Sequence, residues 1–390
     1  MNDLEINPRA LSGTGSWSVT LGAGRLVFGE RSLDRLGELV RELGCKSVLL
    51  VTDSGLCAAG HVERAERSLA RASIACTLFK GVVENPSSRE VEAGRLSARD
   101  CGPDCIVALG GGSSMDCAKG INFVLTNGGR MEDYWGNGKA TRPMLPSIGI
   151  PTTAGTGSEA QSYALISQEK TGAKMACGDP KARFRTTILD PSLTSSAPRE
   201  VRAVSAIDAV SHAVESYVST KRNPVSQLFS REAWRLLESS AERTLTDPDD
   251  REVRGCMLLG SHFAGHAIEH SMLGAAHACA NPLTSRFGVT HGIAVGLMLP
   301  HVVRFNETEV GDLYSELAEA AESPGPARNL EARFRELRAA AGLPERLRDY
   351  EIPIECLDEL AEDASRQWTA SFNPRPVERE DLRKLYEAAY

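Results

Sequence analysis

Hydrophobic and polar positions change their rhythm once along this chain. Up to about residue 190, short apolar runs alternate with amphipathic stretches. "KSVLLVTD", "CIVALGGG" and "MLPSIGIPTTAGTG" read as strands, each ending in a polar or glycine-rich turn. "SLDRLGELVREL" and "SREVEAGRLSARD", which lie among them, carry the period of about 3.6 residues that marks helices. Alternation of this kind predicts a parallel sheet covered by helices. From Ala203 onward the helical period takes over, in "AIDAVSHAVESYVS", "VSQLFSREAWRLLESSAERTL", "LYSELAEAAES", "NLEARFRELRAAAG" and "LDELAEDASRQWT". The pattern predicts an α/β domain over residues 1–192 and an all-helical domain over 193–390. No internal repeat is visible, and the only biased stretch is the short Pro-rich "SPGPA".

Length agrees with two domains, since 390 residues exceed what one ordinary core organises. A hydrophobic fraction of 42% and a charged fraction of 25% are those of a soluble globular protein. No apolar run reaches the roughly 20 residues of a membrane span. The opening "MNDLEINPRALSGTG" lacks a basic head followed by an apolar stretch, so no secretory signal is expected and the cytoplasm is the expected compartment. A net charge of -8, with Lys and Arg dispersed, argues against nucleic acid or a membrane surface as partner and leaves a small molecule. The ten cysteines form no framework. Cys101 and Cys105, the closest pair, have three residues between them, where zinc knuckles and redox motifs have two. The expected role of the cysteines, Cys279 included, is that of small buried hydrophobes.

Candidate chemistry in the first half centres on "ALGGGSSMDCAKG". Gly110, Gly111 and Gly112 let a backbone approach a ligand closely, and the helix that follows adds its N-terminal partial charge, so a pyrophosphate would fit. This is not the G-x-G-x-x-G fingerprint, and the acidic residue that could hold a ribose, Asp53, lies upstream of it. A carboxylate there would accept ribose hydroxyls and repel a 2'-phosphate, favouring NAD over NADP; the alternative for Asp53 is a helix or turn cap. "IPTTAGTGSEA" adds Thr152, Thr153, Thr156 and Ser158 in a loop that would follow a strand.

In the second half, Asp208 and His212 lie four apart and project from one helical face. Their neighbours Ala206, Ile207, Val210 and Ala213 make the segment apolar nearly all round, where a carboxylate needs a strong partner. His262, His266 and His270 form a ladder at helical spacing, while His277 and His291 sit among small residues and glycines that would permit a metal to approach. Spacing alone leaves the choice of ligands open.

Taken in order, "GGGSSMDCAK", "PTTAGTGSEA", "AIDAVSHAVESYVS", "GAAHACANPL", "THGIAVGLMLPHVVRFN" and "FNPRPVEREDL" resemble the iron-containing, or group III, alcohol dehydrogenase family over nearly the whole chain. The resemblance implies a dehydroquinate synthase-like fold: an N-terminal α/β dinucleotide-binding domain with a parallel sheet, a C-terminal all-α metal-binding domain, and a cleft holding NAD(P) and one divalent metal. It implies Asp208, His212, His277 and His291 as metal ligands and demotes the histidine ladder, leaving His270 as a cleft-lining candidate. It also implies pyrophosphate contacts at Gly110, Gly111, Gly112 and Ser113, further cofactor-side contacts at Asp116, Thr156 and Lys174, and the nicotinamide end near Thr152, Thr153 and Ser158. A homo-oligomer, dimer or larger, is expected by the same resemblance. Many members carry a second His four residues after the third ligand, whereas this chain has Asn281, which does not titrate near neutrality.

A donor set of one carboxylate and three imidazoles suits Fe(II), with Zn(II) as competitor. The expected activity is NAD-linked oxidation of a small primary alcohol, or reduction of the aldehyde, with the metal acting as a Lewis acid on the substrate oxygen. Asn281 would orient substrate or water, and the proton would leave through metal-bound water, a cofactor ribose hydroxyl, Thr153 or His270. The alternatives are reduction of a functionalised aldehyde (acidic or phosphonate-bearing) on the same scaffold, a metal-dependent lyase, or an NAD- or metal-responsive regulatory protein. A lyase acting on phosphorylated sugar acids would need a crowd of Lys and Arg around the metal, and few flank the four candidate ligands.

Overall fold

A computed structural model describes residues 17–21, 24–321 and 329–390. The opening stretch read above for a secretory signal and the "SPGPA" segment at 323–327 lie outside the described residues. The chain forms two compact units: residues up to Thr153 with Ser158–Ala197, and Ala154–Gly157 with Pro198–Tyr390. The helical unit takes up the chain again at Pro198, and four residues of the "PTTAGTGSEA" loop, Thr156 among them, group with it.

Among the described residues, the first unit has ten strands: β1 (Trp17–Leu21), β2 (Gly24–Phe28), β3 (Ser47–Val51), β4 (Ala75–Phe79), β5 (Cys105–Gly110), β6 (Gly136–Asn137), β7 (Ser147–Pro151), β8 (Tyr163–Ser167), β9 (Lys174–Gly178) and β10 (Thr186–Leu189). Seven form one sheet in the order β1-β2-β10-β7-β5-β3-β4, parallel except where β1 pairs with β2. The remaining β6, β9 and β8 make a small mixed sheet. Every residue of β5, β7 and β10 is buried, which explains their unbroken apolar runs. Alternate residues of β3 and β5 enter two different cores, Leu49, Val51, Ile106 and Ala108 in one and Val48, Leu50, Val107 and Leu109 in the other. Helices α1 (Leu36–Glu42), α2 (Ser54–Ala58), α3 (His61–Arg71), α4 (Ser88–Cys101) and α5 (Gly112–Asn127) complete the unit. Because β4 lies on one side of β3 and β5 on the other, the strand order reverses between β3 and β5, and the carboxyl ends of those strands flank a topological switch point.

The second unit consists of α6 (Arg199–Val218), α7 (Pro224–Ala241), α8 (Arg243–Thr246), α9 (Arg251–His270), α10 (Ala275–Phe287), α11 (His291–Glu319), α12 (Leu330–Ala341), α13 (Leu357–Ser365) and α14 (Arg379–Ala389). Helix α6 is the axis: every residue from Ala206 to Val218 is buried, and α7, α9 and α11 pack around it. A helix buried on all sides must satisfy its polar atoms locally. Ser211 Oγ donates to the Asp208 carbonyl at 2.6 Å and Ser216 Oγ to the His212 carbonyl at 2.5 Å. Close approach depends on missing side chains. A Cβ on Gly292 would stand 2.3 Å from the Val204 carbonyl oxygen and one on Gly296 would stand 2.9 Å from Ile207 Cγ2, so this pair, one turn apart, seats α11 directly on α6. Gly157, at φ +59°, and Gly265 meet backbone to backbone, and a Cβ on Gly265 would stand 2.3 Å from the Gly157 carbonyl oxygen. No helix among the described residues is long and apolar enough to cross a membrane.

Gly265→Ala should lower stability by about 1–3 kcal/mol, because the atom it would meet is backbone and cannot turn aside. Gly311→Ala is the control, since its Cβ would meet nothing nearer than Glu307 Cγ at 3.8 Å. Denaturant unfolding of both variants checks this, and equal midpoints would refute the packing argument.

Candidate active site

Two sites emerge, one in each unit. In the first, β5 ends at Gly110 and α5 begins at Gly112, so the glycine-rich turn lies at the switch point. Gly110 has φ +152°, and a Cβ there would stand 2.3 Å from Ser114 Oγ, so this position requires glycine. The Gly110 carbonyl accepts from Thr152 N at 3.0 Å, tying the turn to the end of β7. A Cβ on Gly111 would meet Thr153 Oγ1 at 3.3 Å. Ser113 Oγ accepts from Asn85 N at 3.2 Å. Across the switch point, Asp53 N-caps α2, its Oδ1 accepting from Gly55 N at 2.8 Å and Leu56 N at 3.1 Å. The cap uses one carboxylate oxygen for both amides, so capping and ribose binding do not exclude each other.

Asp116 and Ser158 are buried and engage one another. Ser158 Oγ donates to Asp116 Oδ1 at 2.5 Å, while Lys119, also buried, donates to Ser158 O at 2.7 Å and Tyr163 O at 2.6 Å. Burial raises the Asp116 carboxyl against the opposing pull of Lys119. These groups lock α5 to the turn at Ser158–Ala160. Lys174 is exposed at the start of β9. Thr152 is buried, Thr153 half-buried, and Thr156 belongs to the segment grouped with the helices.

In the second unit, Asp208 is the centre. Its Oδ1 lies 3.4 Å from His212 Nε2, 3.7 Å from His277 Nε2 and 3.8 Å from His291 Nε2. The ligand atoms of Asp208, His277 and His291 all lie within 4.8 Å of one another. His212 approaches Asp208 while its ring stacks on that of His277, centroids 4.9 Å apart. Asp208 Oδ1 and His277 Nε2 are buried without a hydrogen bond, a costly state for two polar atoms. Donors about 2.0–2.2 Å from one tetrahedral ion stand about 3.4 Å apart, which is close to the spacing found. The residues present fit a divalent metal.

Electrostatics agree. Burial alone would raise the Asp208 carboxyl, but His212, His277 and His291 outweigh it and hold it well below the usual carboxylate range. Burial pulls His277 down, yet Glu215 and Asp208 prevail and raise it to about 9. Burial also lowers His212, against the opposing charge of Asp208.

His262 is buried and His266 half-buried, with their rings 4.7 Å apart; His266 stacks on Phe229 at 5.0 Å, so this part of the ladder packs with aromatic side chains. His270 is exposed at the end of α9, its carbonyl accepting from Asn223 Nδ2 at 2.8 Å. Cys279 is fully buried, and burial raises its thiol far above the ordinary range, as suits a packing residue. Asn281 lies one turn after His277 on α10 and donates to Gln367 Oε1 at 3.0 Å. Sequence reasoning passed over Gln367, and also Glu215, whose Oε2 contacts His277 Nδ1. Glu215 follows Asp208 by seven residues on one helix face, a spacing that could have revealed it.

A glycine-rich strand-to-helix turn at a sheet switch point, with one buried carboxylate facing three imidazoles in a helical unit, defines a metal-dependent enzyme. Family models described as iron-containing alcohol dehydrogenase and as the C-terminal part of the Fe-containing alcohol dehydrogenase family match residues 23–191 and 202–390. The chain is 32% identical over 372 residues to the 1,3-propanediol dehydrogenase of Citrobacter freundii, covering 93% of this chain and 96% of that one. Its fold is similar to the crystal structure of a 1,3-propanediol oxidoreductase, with TM-score 0.91 and 30% identity over 97% of this chain and 100% of the other. It is also similar to sulfoacetaldehyde reductase from Bifidobacterium kashiwanohense in complex with NAD+, with TM-score 0.86 and 26% identity over 96% and 99% of the two chains. The chain belongs to the iron-containing alcohol dehydrogenase family and is an oxidoreductase.

The His277 proton sets a pH dependence. With its pKa raised from 6.5 to about 9, the protonated ring stabilises the metal-free protein fully below pH 6.5, and that contribution is lost as pH rises through 9. A metal at Nε2 must displace this proton, so affinity for Zn(II) should rise close to tenfold per pH unit between about 7 and 9 and then level off. Chelator competition across that range measures it, and a flat profile would show that the ring carries no proton to displace.

Proposed function

We propose that the protein catalyses the NAD-linked interconversion of a small primary alcohol and its aldehyde, with hydride passing between the carbinol carbon and nicotinamide C4. The observation that carries this reading is Asp208 Oδ1, buried and facing the Nε2 atoms of His212, His277 and His291 at 3.4–3.8 Å. These four residues would hold one divalent metal, Fe(II) favoured and Zn(II) competing, which supplies Lewis acidity to the alcohol or carbonyl oxygen. Gly110, Gly111, Gly112 and Ser113 would bind the pyrophosphate through backbone amides, assisted by the N-terminus of α5. Asp53 would accept the ribose hydroxyls and disfavour a 2'-phosphate. Thr152 and Thr153 would face the nicotinamide end, with Thr156 and Lys174 as further contacts, while Asp116 and Ser158 hold the loop that presents them.

Asn281 binds and orients without titrating, so the proton leaves by another group, for which Thr153 and His270 are the candidates. The Asn281–Gln367 pair also favours a substrate class. Asn281, one turn from His277, and the Gln367 it donates to would offer carboxamide hydrogen bonds to a second oxygen, which suits a diol or a functionalised aldehyde better than a plain alkyl chain. The ten cysteines are all free thiols, which supports a reducing compartment such as the cytoplasm, and we expect a homo-oligomer.

Anaerobically purified protein loaded with Fe(II) or Zn(II) should reduce NAD with primary alcohols or diols, and Asp208→Ala should lose at least a thousandfold of that rate together with the metal. Absence of turnover with every metal, in either direction, would refute the reading. Asn281→His should retain metal content yet add an ionisation near neutrality to the pH-rate profile. An unchanged profile would remove residue 281 from the active site.

A further inference from the structure

We propose that Glu215 is a positioning residue for the metal site, fixing the His277 ring so that Nε2 faces Asp208 while the same carboxylate anchors the first turn of α10. This rests on the reading of Asp208, His277 and His291 as metal ligands. Glu215 is 4% exposed, so its charge must be met inside the protein. Both of its oxygens are used: Oε2 contacts His277 Nδ1, and Oε1 accepts from Ala276 N at 2.8 Å. The ring is thus held between two carboxylates from one helix, with Asp208 Oδ1 3.7 Å from Nε2 and Glu215 at Nδ1. Donation of Nδ1–H to a carboxylate leaves the Nε2 lone pair for a metal and strengthens it as a donor.

Helix α10 has no side-chain cap of its own, because its N-cap residue is Gly274. Its first two amides go instead to distant groups, Ala275 N to Asn373 Oδ1 at 3.2 Å and Ala276 N to Glu215 Oε1. A Cβ on Gly274 would stand 3.0 Å from both acceptors, so glycine is needed to let them reach. Asn373 is braced in turn by Asn306 and Arg375, donating to Asn306 Oδ1 and to the Arg375 carbonyl at 2.7 Å each. There is also a balance of charge: Asp208 and Glu215 together carry two negative charges, which match a divalent cation.

The test uses metal-free full-length wild type, Glu215→Gln and Asn373→Ala, each titrated with Co(II) and Zn(II). It reads affinity by chelator competition, the Co(II) visible bands, and the melting temperature of the metal-free form. Glu215→Gln keeps an acceptor for Ala276 N but loses the charge at Nδ1, so it should bind metal about 10–100-fold more weakly and shift the Co(II) bands, with the metal-free melting temperature nearly unchanged when read at alkaline pH, where His277 is neutral in both proteins. Asn373→Ala loosens the same helix start without touching the ring, and should lower the melting temperature while keeping the wild-type Co(II) bands. Wild-type affinity and bands in Glu215→Gln would overturn the proposal, as would a collapse of its metal-free melting temperature at that alkaline pH, which would make the role structural. A wild type that binds no metal would instead overturn the ligand assignment itself.

Discussion

Asp208 is a carboxylate that the fold has put where carboxylates do not ordinarily go. It sits on a helix buried on every side, and the cost of removing its charge from water has to be met by groups brought from elsewhere. His212 comes from the same helix, His277 from the first turn of α10 and His291 from the first residue of α11. The two approaches from other helices each depend on a neighbouring glycine: Gly292 lets the start of α11 lie on α6, and Gly274 lets two distant acceptors cap α10. Much of the helical unit can be understood as the means of surrounding one anion with three imidazoles.

The sheet unit applies the opposite logic. It spends no buried charge on its candidate ligand site, which consists of backbone amides and a helix start at a strand reversal. Its buried cluster of Asp116, Lys119 and Ser158 is satisfied internally and fixes the loop after β7. On the proposed reading, one unit would take a cation through side chains and the other an anion through main chain.

Strands β3, β5 and β7 were legible because parallel strands buried on both faces leave unbroken apolar runs. The small sheet of β6, β8 and β9 was not, since β8 has only alternate residues fully buried and β6 is two residues long. The Asp208–His212 pair was visible as an i, i+4 spacing in an apolar helix. His277 and His291 were not separable from the ladder by spacing, because His262 and His266 repeat with the helix just as ligands would, and only packing shows them stacked with aromatics. Glu215 was passed over because its role depends on which way an imidazole ring faces, a fact about side-chain contact that periodicity does not encode.

The segment Ala154–Gly157 has a consequence for how the chain is assembled. It groups with the helical unit, yet more of the sheet unit follows it before the helices begin. The backbone therefore passes from one unit to the other three times, and no single cut separates them. A fragment starting after residue 192 would lack Gly157, leaving a gap where Gly265 expects a neighbour. During synthesis the helical unit has to recover four residues made about forty positions earlier, so the two halves read from the sequence as successive domains are completed together.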